Sequence, residues 1–120
     1  MHIRTKRIYE AAEDSDGCRI LVDRLWPRGI SKDRAKLTYW AKEVSPSNEL
    51  RKWYQHDADN WNEFKRRYFE EISLKPETRE LLQHCTACDV VTFLFSSKEM
   101  QLNNAVALKE YVEHELLSGQ

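Results

Sequence analysis

Two short stretches of this chain carry side chains suited to holding an anion. The first is Asp23-Arg24-Leu25-Trp26-Pro27-Arg28-Gly29, with two guanidinium forks and an indole around a Pro/Gly break. The second is Ser96-Ser97-Lys98, two hydroxyls and a point charge, followed by Asn103. Guanidinium matches the planar geometry of phosphate and carboxylate, and lysine adds charge without fixed geometry. Asn103 precedes a helical pattern, and the free N–H groups of a helix start add to an anion site. Arg24, Trp26, Arg28, Ser96, Ser97, Lys98 and Asn103 are therefore the candidate ligand-binding residues. Asp23 would orient the arginines or act in catalysis. His56, beside Asp57, is the candidate general base, because imidazole titrates near neutrality. For each there is a structural alternative: Asp57 as a helix cap, Asp23 and Arg24 as a simple ion pair.

These stretches follow the two most apolar runs in the chain. Arg19-Ile20-Leu21-Val22-Asp23 reads as one strand. Asp89 to Phe95, apolar on both faces, reads as a central strand covered by helices. Ile3 to Tyr9 reads as a first strand, with a polar turn over Ala11 to Gly17. Between the apolar strands lie helical patterns: a short one capped by Ser31 and running through Leu37 to Trp40, one capped by Ser47 over Asn48 to Gln55, one opened by Asp57 or Asp59, and one begun by Pro76 and ending near His84. Trp53, Trp61, Phe64 and Tyr68 follow helical spacing and are expected in the core. A last helix after Asn103 buries Ala105, Leu108, Val112 and Leu116. The expected fold is a single α/β domain over 1–120, with a small, largely parallel three-stranded sheet flanked by helices on both faces. In such sheets ligands bind beyond the strand carboxyl ends, which is where both candidate loops would lie if their strands are neighbours.

Composition narrows the function classes. With 41% hydrophobic and 32% charged residues, the 120-residue chain can bury a real core. A net charge of -1 gives no global pull toward nucleic acid or anionic membrane, so neither is expected as a main partner; a small anionic ligand is. No apolar stretch is long enough to span a bilayer, and none follows Met1 to Arg7 as in a signal peptide, so the expected location is the cytoplasm. Nothing calls for a cofactor. Cys18, Cys85 and Cys88 are expected as reduced thiols, and the Cys85–Cys88 pair next to His84 is only half a zinc ligand set, so no metal is expected. Lys65-Arg66-Arg67 supports a second hypothesis, a regulatory or nucleic-acid-associated module; a protein-interaction domain is the third.

The stretch Val22-Asp23-Arg24-Leu25-Trp26-Pro27-Arg28-Gly29 closely resembles the YeaO-like family of bacterial proteins. So do Glu49-Leu50-Arg51-Lys52-Trp53, His56-Asp57, the run from Trp61 through Phe64 to Arg67-Tyr68, and Asn103 with Ala105-Val106 and Leu108. The resemblance covers nearly the whole chain and implies identity more than mechanism, the family having no established reaction. Its pattern carries histidine where this chain has Asn104, which removes a general base from that position. More distantly, the layout is similar to rhodanese-type domains, whose catalytic cysteine stands in the second loop. Here Ser96 to Asn103 contains no cysteine, so thiol-based sulfur transfer or phosphatase chemistry lacks its nucleophile.

Overall fold

In a computed structural model that describes residues 1–55 and 57–118, the chain forms four strands: β1 (His2–Arg7), β2 (Cys18–Leu21), β3 (Tyr39–Trp40) and β4 (Val90–Phe95). They make one sheet in the order β1-β4-β2-β3, with every neighbouring pair parallel. The Val-Val-Thr-Phe-Leu-Phe strand takes an inner place because it is apolar on both faces and can be covered twice, and β2, with Ile20 and Leu21 buried on opposite faces, takes the other. Parallel pairing puts all strand carboxyl ends on one rim.

The first expected stretch of helix is where the sheet gains its extra strand. Ser31 caps α1 (Lys32–Ala35) by accepting from the Arg34 N–H, but Lys36 then turns left-handed (φ 47°) and the helix stops. Leu37 and Trp40 have helical spacing, yet Tyr39 and Trp40 pair with Ile20 and Leu21. The open edge of β2 offered backbone partners that a helix would have left unfilled.

The two faces of the sheet are covered differently. Ile3, Ile20, Val22, Val91, Phe93 and Phe95 face α2 (Asn48–Tyr54), α3 (Trp61–Ser73), α4 (Pro76–Thr86) and α5 (Asn104–Ser118). Ile8, Leu21 and Leu94 face the other way, under Ile30 and Ala35, so this side is closed by loops and the single turn of α1. Ser47 and Asn103 cap α2 and α5, accepting from the Leu50 and Val106 N–H groups. Of the expected aromatic core, Phe64 and Tyr68 are buried and Trp61 packs against them. Trp53 is instead 37% exposed, lying under the Arg67 guanidinium at 4.2 Å. No helix among the described residues is long and apolar enough to cross a membrane.

Residues 8–17 carry the chain from β1 to β2 across β4, and a buried ion network holds this short crossing. Asp16, fully buried, accepts from Lys6 Nζ (3.0 Å) and Arg19 Nη1 (2.6 Å), and its backbone carbonyl accepts from Thr92 Oγ1. Lys6 also reaches Glu13 and the Ala11 carbonyl. Gly17 (φ 64°) lets the chain enter β2 against β4, where a Cβ would overlap the Val90 carbonyl. Burial works against the Asp16 charge, but hydrogen bonds from the Glu13 N–H, Lys6 and Arg19 outweigh it and hold the carboxyl below the usual range.

The expectation of three reduced thiols is overturned. Cys18 and Cys88 form a disulfide with Cα atoms 6.3 Å apart, and Cys85 stays free and buried. The pairing of Cys18 with Val91 brings Cys88, at the entry to β4, to the same end of the sheet. Sequence spacing could not show this, because the partners are 70 residues apart.

Replacing Cys18 by Ser, or reducing the purified oxidised protein, should lower unfolding free energy by roughly 4 kcal/mol for a 70-residue loop. An unchanged denaturant midpoint would show that the bond carries no stability. Cys85, its thiol pushed up to about 12 by burial, should react with a thiol reagent only on unfolding. For the network, Asp16→Asn should cost about 3–5 kcal/mol near neutrality, since Lys6 and Arg19 lose a buried counter-charge. Because the folded carboxyl lies below the unfolded one, its contribution is present above about pH 4 and is lost as pH falls through the folded value. Wild type and Asp16→Asn should therefore converge in stability on acidification; parallel curves would contradict this.

Candidate functional site

The segment after β2 turns to the loop-covered face, whereas the segment after β4 leads to α5 on the helical face. Chain direction thus diverges between two adjacent parallel strands, the arrangement that opens a crevice at a sheet's carboxyl rim.

Asp23 stands in that crevice. Its Oδ2 accepts from both the backbone N–H and the Oγ of Ser96, each at 2.8 Å, and its Oδ1 accepts from Asn104 Nδ2 at 3.2 Å. The same Asn104 amide donates to the Val22 carbonyl, and the Asp23 carbonyl accepts from Trp40 Nε1. One carboxylate therefore ties β2, the loop after β4 and the first turn of α5. It does not pair with Arg24. That half-buried arginine runs to the Ser45 carbonyl at 3.4 Å, and among the described residues its buried Nε has no partner.

Two clefts open beside this knot. The first, about 550 Å³, is walled by Asp23, Ser96, Ser97 and Asn104 on the sheet side and by Arg51, Lys52, Tyr54 and Phe64 on the helical side. The second, about 640 Å³ and shallower, is lined by Arg7, Tyr9, Trp26, Arg28 and Lys98. Leu25 and Ser96 line both, so the clefts share a wall. No carboxylate lines the second, and among the described residues neither Arg28 nor Lys98 has an ion-pair partner.

The sequence candidates are thus divided. Trp26, Arg28, Ser96 and Lys98 meet in the second cleft; Asp23, Ser96 and Ser97 line the first. Arg24 lines neither. Asn103 is fully buried, its side chain used between the Val106 N–H and the Glu99 carbonyl. His56 lies outside the described residues. Trp26 lines the cleft but is also structural: its Nε1 donates to the Ile30 carbonyl and its ring meets Trp40 edge-on at 5.4 Å. Gly29 adopts φ 81° just after Arg28, the turn that the Pro/Gly break implied.

Arg7 is the residue that sequence reasoning missed. Its Nε and Nη2 donate to the Ser97 and Ser96 carbonyls, both at 2.9 Å, so its fork grips the loop after β4 while its head lines the second cleft. The signal was a basic residue at the end of the first strand; what it lacked was the knowledge that β1 neighbours β4. Tyr9 was missed for the same reason, and its hydroxyl donates to the Arg28 carbonyl. Among the described residues no three His, Cys, Asp or Glu side chains group as metal ligands.

A family model described as the inactive DUF488-N3 subclade matches residues 2–120. The uncharacterized protein YeaO of Escherichia coli (strain K12) is 39% identical over 112 residues, covering 93% of this chain and 97% of that protein. Uncharacterized proteins of Mycobacterium bovis and Mycobacterium tuberculosis are 39% identical over 118 residues, covering 98% of this chain and 95% of each. No solved structure matches it significantly. With the Asp-Arg-Leu-Trp-Pro-Arg loop and the asparagine-led α5 on the same rim, and with these matches spanning almost every residue, the chain belongs to the YeaO-like family, within the inactive DUF488-N3 subclade.

Proposed function

We propose that this chain is a cytoplasmic binding protein for a small anionic ligand carrying phosphate or carboxylate, held in the cleft of Arg7, Arg28 and Lys98. The carrying observation is the charge of that concavity: three cations and no carboxylate in its lining. Like charges gathered in one cleft repel, and an anion placed among them relieves that repulsion while gaining charge-assisted hydrogen bonds.

The loop is also prepared for its task. Pro27 restricts the backbone before Arg28, Gly29 turns it after, and the Tyr9 hydroxyl holds the Arg28 carbonyl. Ordering the loop in advance reduces the entropy lost when the guanidinium engages a ligand. Trp26 has its one N–H committed to Ile30, so it offers the ligand ring surface alone.

Binding without turnover is the reading favoured here. Ser96 donates to Asp23, but the group completing that contact is Asn104, an amide that neither takes nor gives a proton near neutrality. The description of the subclade as inactive agrees with this. In a reducing cytoplasm the Cys18–Cys88 pair would exchange with the thiol pool rather than act as a permanent staple.

The nucleic-acid reading has less behind it. Lys65 pairs with Glu110, Arg66 with Glu63 and Glu70, and Arg67 with Glu63. Hydrogen bonds from Arg66 and Arg67 draw the Glu63 carboxyl down to about 2. Cations already neutralised at this spacing have little charge left for a phosphate backbone.

The test is a thermal melt with inorganic phosphate, sulfate and simple carboxylates. Wild type should gain stability with anion concentration. Arg28→Ala should weaken binding by about 1.5–3 kcal/mol, the scale of a lost charge-assisted bond, and change basal stability by about half a kcal/mol or less. The fold contact at this position uses the Arg28 carbonyl, which alanine keeps. Lys65→Ala should leave anion binding unchanged. A wild type indifferent to every anion, or an Arg28→Ala protein that fails to fold, would refute the assignment.

A further inference from the structure

The two clefts differ in what they accept, and they are contiguous across Leu25 and Ser96. The cationic side draws an anion. The other side holds the Asp23 carboxylate, which takes hydrogen-bond donors, and faces Arg51 and Lys52 on its helical wall. Resting on the anion site above, we infer that the two clefts form one extended site for a phosphorylated polyol of the sugar-phosphate or nucleotide class, its phosphate among Arg7, Arg28 and Lys98 and its hydroxyls against Asp23 and Asn104.

The hydrogen-bond inventory supports this division. Asp23 Oδ2 is taken up by two bonds from Ser96, whereas Oδ1 receives only the 3.2 Å contact from Asn104. A carboxylate oxygen accepts two bonds readily, so Oδ1 keeps capacity on the cleft side. Both hydrogens of the Asn104 amide are engaged, by Val22 and Asp23, so its own Oδ1 is left as an acceptor without a donor among the described residues. Two acceptors with unused capacity ask for a ligand that brings donors. Hydroxyls bring donors without the charge that Asp23 would reject. Beside Arg51, Lys52 and Gln55, the residues Pro46, Tyr54 and Phe64 add apolar and aromatic surface that suits the C–H face of a sugar ring.

Anchoring one end of a ligand raises the effective concentration of the other, so the linked molecule should bind much more tightly than its fragments. The experiment is isothermal titration calorimetry of the full chain with inorganic phosphate, propyl phosphate, ribose and ribose 5-phosphate. Wild type and two variants, Asp23→Asn and Ser97→Leu, are compared. Ser97→Leu adds bulk on the first cleft; it gives up the bond that the Ser97 hydroxyl accepts from the Glu99 N–H but keeps the backbone carbonyl that Arg7 holds, and it serves as a second variant should Asp23→Asn fail to fold. Ribose 5-phosphate is expected to bind about tenfold or more tightly than either phosphate or propyl phosphate in wild type. That advantage should disappear in Ser97→Leu, and in Asp23→Asn if folded. If phosphate binds but ribose 5-phosphate gains nothing over it, or propyl phosphate gains as much, the extended site is wrong and the anion site stands. If the advantage persists in Ser97→Leu, the sugar is not in the first cleft and the inference likewise falls. If neither phosphate nor ribose 5-phosphate binds, the anion site itself fails and takes the inference with it.

Discussion

The carboxylate of Asp23 is the contact on which the rim of this protein is built. Two strands that run side by side send their chains to opposite faces of the sheet, which by itself would leave a gap lined with unpaired backbone groups. Asp23 closes it by accepting from the backbone and hydroxyl of Ser96 and from Asn104, while its carbonyl takes the Trp40 indole. Four segments are thereby fixed relative to one another: the end of β2, β3, the loop after β4 and the start of α5. A buried donor or acceptor without a partner costs about 1–3 kcal/mol, so this knot resists piecemeal removal.

Charge is then sorted around the knot. The negative group lies on the helical side, and the unpaired cations Arg28 and Lys98 lie on the loop side, with Arg7 between them and the loop backbone. On the α3 surface, by contrast, the cations are compensated, with Arg66 and Arg67 sharing Glu63. Local field, rather than the net charge of -1, decides where an anion would go.

The second sheet face reflects a different constraint. Residues 8–17 have to cross β4 in too few residues to form a helix, so the crossing is stabilised by polar contacts instead of an apolar stripe. Asp16 between Lys6 and Arg19 supplies them beneath the loop. A buried ion group of this kind is costly to desolvate and costly to break, and it defines one path for the crossing. On the helical face, where α2 to α5 cover the sheet, ordinary apolar packing suffices.

Much of this was legible in the residues. The apolar run ending at Phe95 could only be an inner strand; Ser31, Ser47 and Asn103 each accept the cap bond that their positions implied; and Pro27 with Gly29 marked the loop that carries Trp26 and Arg28. These features depend on neighbours within a few positions, where backbone sterics and capping act. β3, the Cys18–Cys88 bond, the turning of Arg24 toward Ser45 and the recruitment of Arg7 and Tyr9 depend on strand order. The order β1-β4-β2-β3 sets residues from opposite ends of the chain side by side, and no local pattern records it. Sequence alone determined that the loops after two apolar strands would carry Trp26, Arg28, Ser96 and Lys98. The tertiary structure decided which of them would be consumed in holding the rim together and which would be left facing solvent with charge to offer, because each hydrogen bond made across the sheet removes a group from those available to a ligand.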